Sequence, residues 1–92
     1  MDEITAAPKW EPAALAEYQY WQIHDKQKAA RVNVLIESIY GDGAFVGVGK
    51  PEPLKYKYHG YWSRRIDQHH RLIYRVSGGR LYIRFCGKHY ED

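Results

Sequence analysis

The stretch Arg71-Leu72-Ile73-Tyr74-Arg75-Val76-Ser77-Gly78-Gly79-Arg80-Leu81-Tyr82-Ile83-Arg84-Phe85-Cys86 decides the fold. Leu72, Tyr74 and Val76 alternate with Arg71, Ile73 and Arg75, and Leu81, Ile83 and Phe85 alternate with Tyr82, Arg84 and Cys86. That period of two is the signature of half-buried strands. Gly78-Gly79 is a two-residue hairpin signal between them. Pairing Ser77 with Arg80 sets Val76 against Leu81, Tyr74 against Ile83 and Leu72 against Phe85, so every apolar candidate falls on one face of an antiparallel sheet.

Working outward toward the N-terminus, Trp62 and Ile66 alternate with Tyr61, Ser63 and Arg65, and Leu54, Tyr56 and Tyr58 alternate with Lys55 and Lys57, which predicts two further strands. A two-residue loop after Ile66 would bring Arg64 beside Arg71 and mix the faces. A three-residue loop, Asp67-Gln68-His69, instead pairs Trp62 with Tyr74 and sets Arg65 opposite Arg71 on the face away from the core. Like charges directly opposite destabilise a sheet unless the face is wet. The pair is compatible with a solvated basic face, and also with a clamp for a phosphodiester, whose oxygens match the guanidinium fork.

Before Gly41 the period is helical. Pro12 fits a first helical turn, and Leu15, Tyr18 and Trp21 or Gln22 predict a helix over Pro12 to His24. Asp25 is an N-cap for a second helix, whose apolar face of Ala29, Val32, Leu35 or Ile36, and Ile39 ends at Gly41 and Gly43. A short edge strand precedes Trp10, residues 1–7 are expected to fray, and Gly41 to Lys50 is a connecting loop. Gly47-Val48-Gly49-Lys50 has no Ser or Thr after the lysine and no leading strand, so it does not read as a nucleotide-phosphate loop. The predicted class is α+β: two N-terminal helices packed on a twisted antiparallel sheet of four to five strands.

The chain has 92 residues, 45% hydrophobic and 27% charged, which suits a single folded domain over residues 1–92 and not a disordered segment. Its net charge of +3 permits a polyanionic partner. Lys50, Lys55, Lys57, Arg64, Arg65, Arg71, Arg75, Arg80 and Arg84 are nine of its 14 Lys and Arg residues, so the positive charge gathers in the predicted sheet. The lone Cys86 forms no disulfide within the chain, Met1 to Lys9 has no apolar run of a secretory signal, and no segment has the roughly 18 apolar residues of a membrane span. A cytoplasmic protein without a membrane role is the expectation.

Metal-free cleavage of RNA requires a base for the 2′-hydroxyl, cations for the phosphorane and an acid for the departing 5′-oxygen. Glu52, between Pro51 and Pro53 and near Lys55, is the candidate base, though the pattern fits a surface glutamate as well. His89 is the candidate acid, because imidazole titrates near neutral pH. A metal site at His69, His70 and His89 is the weaker alternative, since adjacent strand residues point to opposite faces; no metal or other cofactor is expected. A basic, aromatic sheet that only binds nucleic acid is the other alternative, and it gains nothing from Glu52.

Gly49-Lys50-Pro51-Glu52-Pro53-Leu54-Lys55, Gly60-Tyr61-Trp62-Ser63-Arg64-Arg65-Ile66, His70-Arg71-Leu72-Ile73-Tyr74 and His89-Tyr90, with Trp10, Tyr20-Trp21-Gln22 and Asp25-Lys26, resemble the YoeB (Txe) family of bacterial toxins in the RelE superfamily. The resemblance covers nearly the whole chain. It implies a microbial-ribonuclease-like α+β fold and an endoribonuclease that cuts messenger RNA in the ribosomal A site, restrained by a YefM-type antitoxin and expected as a homodimer. It also implies roles: Glu52 as general base, Arg71 on the phosphate, His89 as general acid supported by Tyr90, and Lys55 and Arg65 as phosphate or substrate contacts. The chain departs from the family pattern in continuing past His89-Tyr90 with Glu91 and Asp92. Strand parity directs His89 to the core side unless a bulge at Gly87 re-aims it.

Overall fold

The computed structural model of the chain describes residues 4–87. Its elements are β1 (Lys9–Trp10), α1 (Pro12–His24), α2 (Lys26–Asp42), β2 (Glu52–Pro53), β3 (Trp62–Arg65), β4 (Arg71–Ser77) and β5 (Arg80–Phe85), and the five strands form one sheet ordered β1-β5-β4-β3-β2. The α+β architecture is the predicted one. The sheet is mixed, because β1 runs parallel to β5 with Lys9 beside Tyr82 and Trp10 beside Ile83.

Each helix starts and stops where local chemistry requires. Pro12 opens α1 in the first turn, where its missing N–H leaves no bond unmade. Asp25 caps α2 by accepting a hydrogen bond from the Lys28 N–H at 3.2 Å. Gly43, with φ +121°, then ends α2. The α2 face of Ala29, Val32, Leu35 and Ile39 is buried as expected. Helix α1 turns differently from the expectation: Ala14 is buried, Tyr18 packs on the core, and Leu15 points outward.

The hairpins carry the register. Ser77 pairs with Arg80, Val76 with Leu81, and Tyr74 with Ile83. Trp62 pairs with Tyr74 and Arg65 with Arg71, and the Ile66 N–H donates to the His70 carbonyl across the Asp67-Gln68-His69 loop. Past Ile83 the expectation fails. Ile73, not Leu72, pairs with Phe85, because Arg84 is an extra residue that forms a bulge. One added residue reverses strand parity, so Cys86 is fully buried in the main core while Phe85 is turned to the opposite face. The bulge that breaks the parity of β5 lies at Arg84, three residues ahead of Gly87.

The expected strand through Leu54, Tyr56 and Tyr58 does not form. Residues 54–61 form no strand but a bend and a turn over 56–60, and only Glu52–Pro53 pairs with β3. Pro51 and Pro53 offer no N–H for a longer ladder, which confines this segment to a short sheet edge. The turns fold across the sheet face that the helices leave open: the Tyr58 ring stands edge-on to Tyr61 at 6.2 Å and to Phe85 at 5.9 Å. That cover accounts for Leu54 and Ile73, which are buried yet outside the main core cluster.

The largest fully buried side chain is a charge. Arg64 falls on the helix-facing side of β3 between Trp62 and Ile66, with no exposure to solvent. Its Nε donates to the Tyr74 hydroxyl at 2.9 Å, and Nη1 donates to Ser38 Oγ at 2.9 Å and the Val48 carbonyl at 3.1 Å. Nη2 reaches the carbonyls of Gly43 at 2.8 Å and Val46 at 2.7 Å. A buried cation is tolerable only with such an acceptor set. Its consequence is that the glycine-rich loop between α2 and β2 wraps around one guanidinium.

Candidate active site

The open face of the sheet can be assembled from the register alone. Glu52 lies beside Ser63, Ser63 beside Ile73, and Ile73 beside Phe85, which makes a row across four strands. Two residues along each strand, about 7 Å away, Arg65 and Arg71 form the next row. Glu52, Arg65 and Arg71 thus share one face of the sheet, and the exposed Lys55 follows Glu52 in the 54–61 segment. His89 and Tyr90 lie outside the described residues.

Several contacts hold Glu52 in this row. Gly49, at φ +91°, brings the chain against Leu35 and Arg64, and its carbonyl accepts from the Arg65 N–H at 2.7 Å. Lys50 then adopts φ +54°, a left-handed conformation that costs a non-glycine residue about 1 kcal/mol. The chain emerges into β2 with the Glu52 carboxylate at the sheet edge. Lys50 Nζ stands 3.6 Å from its carboxylate; the side chains are 64% and 53% exposed, so this ion pair is weak.

Arg71 is braced by the preceding loop. Its Nη1 donates to the carbonyls of Asp67 at 2.8 Å and His70 at 3.1 Å, and its other donors have no partner among the described residues. Asp67 folds that loop by accepting the N–H groups of His69 at 2.8 Å and His70 at 2.7 Å. It also meets His70 Nδ1 at 3.0 Å and Lys28 Nζ at 3.1 Å. Burial acts to raise the Asp67 pKa, but the backbone donors, Lys28 and His70 outweigh it and hold the carboxyl well below the usual carboxylate range. Among the described residues no group of three or more His, Cys, Asp or Glu side chains could hold a metal ion.

Helix α1 fixes the chain where it leaves the sheet. Trp21 Nε1 donates to the Cys86 carbonyl at 2.9 Å, and Glu17 Oε1 accepts the Cys86 N–H at 2.9 Å. Burial, reinforced by the Glu17 charge, pushes the Cys86 thiol up to about 12, so this cysteine is a core group without nucleophilic character. Gly87 follows because a Cβ there would lie 2.9 Å from Glu17 Cβ.

Two features escaped the sequence reading. Arg64 sits at a core position of the β3 alternation, and a cation at such a position was the available signal. The other is a row formed by Lys9, Tyr82, Arg75 and Tyr61, on the far side of Glu52 from Arg65 and Arg71. Lys9 could not be assigned to it without the parallel β1–β5 pairing.

Residues 10–90 match the family of YoeB-like toxins of bacterial type II toxin-antitoxin systems. The toxin YoeB of Synechocystis sp. is 47% identical over 75 residues, spanning 82% of this chain and 86% of that protein. A YoeB-YefM complex from Staphylococcus aureus contains a chain that superposes with a TM-score of 0.86 at 40% identity, covering 94% of this chain and 99% of that one. A YoeB dimer from Staphylococcus aureus gives 0.85 at 40% identity, over 96% and 99% of the two chains.

Proposed function

The chain belongs to the family of YoeB-like toxins of bacterial type II toxin-antitoxin systems, and on that premise we propose that it is a metal-independent endoribonuclease that cleaves messenger RNA in the ribosomal A site and so inhibits translation. The observation that carries this reading is the carboxylate of Glu52 on the same open sheet face as the Arg65–Arg71 pair. A surface that only bound RNA would be weakened by a carboxylate among its cations, whereas proton abstraction from a 2′-hydroxyl requires one.

In the proposed reaction Glu52 takes the 2′-hydroxyl proton as that oxygen attacks the adjacent phosphorus. The bond to the 5′-oxygen breaks, leaving a cyclic phosphate on one fragment and a 5′-hydroxyl on the other. Arg71, with its free donors directed by the loop carbonyls, and Arg65 and Lys55 balance the charge of the phosphorane. His89 gives its proton to the departing oxygen, with Tyr90 supporting the imidazole. The anchoring of Cys86 by Trp21 and Glu17, three residues before His89, supports this assignment by tying the start of the C-terminal segment to α1.

The partners in this reading are the ribosome with its messenger and a YefM-type antitoxin, by analogy with the Staphylococcus aureus complex, and the dimer from the same organism supports a homodimer. Ribosomes place the activity in the cytoplasm. Among the described residues no helix is long and apolar enough to cross a membrane.

The test is cleavage of messenger on programmed ribosomes by wild type, Glu52→Ala, Arg71→Ala and His89→Ala. Wild type is expected to cut within the A-site codon, and each variant to lose at least about 100-fold in rate. Equal cutting by all four proteins refutes the reading.

A further inference from the structure

Arg75 has an environment that the proposed chemistry does not use. Its guanidinium carbon stands 4.4 Å from the centre of the Tyr82 ring and 5.8 Å from that of Tyr61, and it is half-buried. No carboxylate and no hydrogen-bond acceptor is paired with it among the described residues. Half-buried cations ordinarily acquire an acidic or carbonyl partner. Of the other arginines of the open face, Arg71 bonds two loop carbonyls, Arg80 bonds the Ala7 carbonyl at 3.2 Å and Arg84 meets Glu11 at 3.4 Å, while Arg65 is exposed. Aromatic rings engage the face of a guanidinium and leave its N–H edge available for a phosphate.

Position gives this cation its meaning. Arg75 is beside Tyr82, and Tyr82 is beside the exposed Lys9, so two cations occupy one row of the open face. The Glu52–Ser63–Ile73–Phe85 row lies between that row and the Arg65–Arg71 row. Each is about 7 Å from the next. The 54–61 turns cover the middle of this face above the buried Ile73, so a polyanionic chain passing over their outer surface would meet cations on both sides of the exposed Glu52.

We propose that Arg75, oriented by Tyr61 and Tyr82 and joined by Lys9, binds a backbone phosphate of the messenger strand flanking the cleaved one, on the far side of Glu52 from Arg65 and Arg71. The proposal rests on the cleavage reading above and deepens it, by giving the substrate a direction across the sheet. Arg75 and Lys9 are binding residues here, and Tyr82 is a positioning residue acting through Arg75.

The experiment measures messenger cleavage on programmed ribosomes as a function of salt for wild type, Arg75→Gln, Arg75→Lys and Lys9→Gln. Arg75→Gln is expected to raise KM roughly tenfold while kcat changes far less, as the loss of one charge-assisted phosphate contact requires. Its log KM against log salt should be shallower than wild type by about 0.7, the share of one phosphate contact on a single strand. Arg75→Lys keeps the charge and should retain the wild-type salt slope with an intermediate KM. If Arg75 merely braces the sheet, Arg75→Gln lowers the melting temperature and leaves KM and slope unchanged, which overturns the proposal. If Arg75→Gln does not fold, exposed Lys9→Gln decides by the same slope. Binding is also measured in the Glu52→Ala background, to ribosomes with and without messenger. A loss that is equal in both assigns the contact to ribosomal RNA and overturns the proposal. Should Glu52→Ala cleave like wild type, the cleavage reading fails instead, and the two failures are told apart.

Discussion

A guanidinium withdrawn from water must find an acceptor for nearly every N–H it carries, and Arg64 finds them in loop carbonyls, a serine and a tyrosine. Removing it would strand those acceptors in a dry interior. Arg64→Met should therefore destabilise the fold by about 3–5 kcal/mol in urea unfolding. Arg64→Lys should recover little of that loss, since three donors on one nitrogen cannot span the same set. Asp67 supplies a different test. Its carboxyl titrates below the ordinary aspartate value in the folded chain, because its backbone donors, Lys28 and His70 outweigh the burial that acts to raise it. As pH falls the unfolded chain therefore takes up the proton first, and stability rises with pH across that window. Its contribution is complete above about pH 3.9 and disappears as pH falls through the folded value. Asp67→Asn should thus be less stable than wild type at pH 7, with a gap that narrows below about pH 4; a gap of constant size at pH 7, 5 and 3 would contradict this.

At the scale of the elements, the local devices explain what the sequence made legible. Gly78-Gly79 and the three-residue loop fixed two registers through turn length, and these brought Arg65 opposite Arg71 and Trp62 opposite Tyr74. Turn length carries no information about an inserted residue further along, so the Arg84 bulge and the burial of Cys86 were hidden. The alternation of Leu54, Tyr56 and Tyr58 misled for a related reason. It reflects aromatic side chains laid across a sheet by turns, in a segment whose prolines forbid a long ladder. Glu52 was legible through those prolines, while its partner Lys50 depends on a left-handed backbone that no side-chain pattern announces. Gly49 tests this link between elements. A methyl there would stand 2.6 Å from Leu35 Cδ2 at φ +91°, so Gly49→Ala combines backbone strain with overpacking. It should cost about 2 kcal/mol or more in urea unfolding. It should also depress cleavage beyond what the stability loss explains, through displacement of Glu52.

For the molecule as a whole, the closing contact is made by the first strand. β1 covers the β5 edge through a parallel pairing that joins residues more than 70 positions apart, and the Glu11 N–H extends it to the Ile83 carbonyl at 3.0 Å. Trp10 makes this contact more than a backbone link, because its ring lies 4.8 Å from Tyr18 and packs on the same cluster as Ile83 and Leu81. Trp62 stacks on Phe45 at 4.6 Å toward the opposite edge of the sheet, and Trp21 meets His70 at 5.2 Å beside the hairpin loop. The three tryptophans therefore report on three separate regions. If the chain is one folding domain, their fluorescence and the far-ultraviolet dichroism will share a single urea transition. Trp10→Ala, which removes a half-buried ring, should lower stability by about 2–3 kcal/mol and the melting temperature by roughly 10–20 °C. Because all regions depend on one core, Trp21 and Trp62 must lose their native signal at the same lowered midpoint. A Trp62 transition left at the wild-type midpoint would show that the β2–β3 edge, and Glu52 with it, folds independently of the strand that closes the sheet.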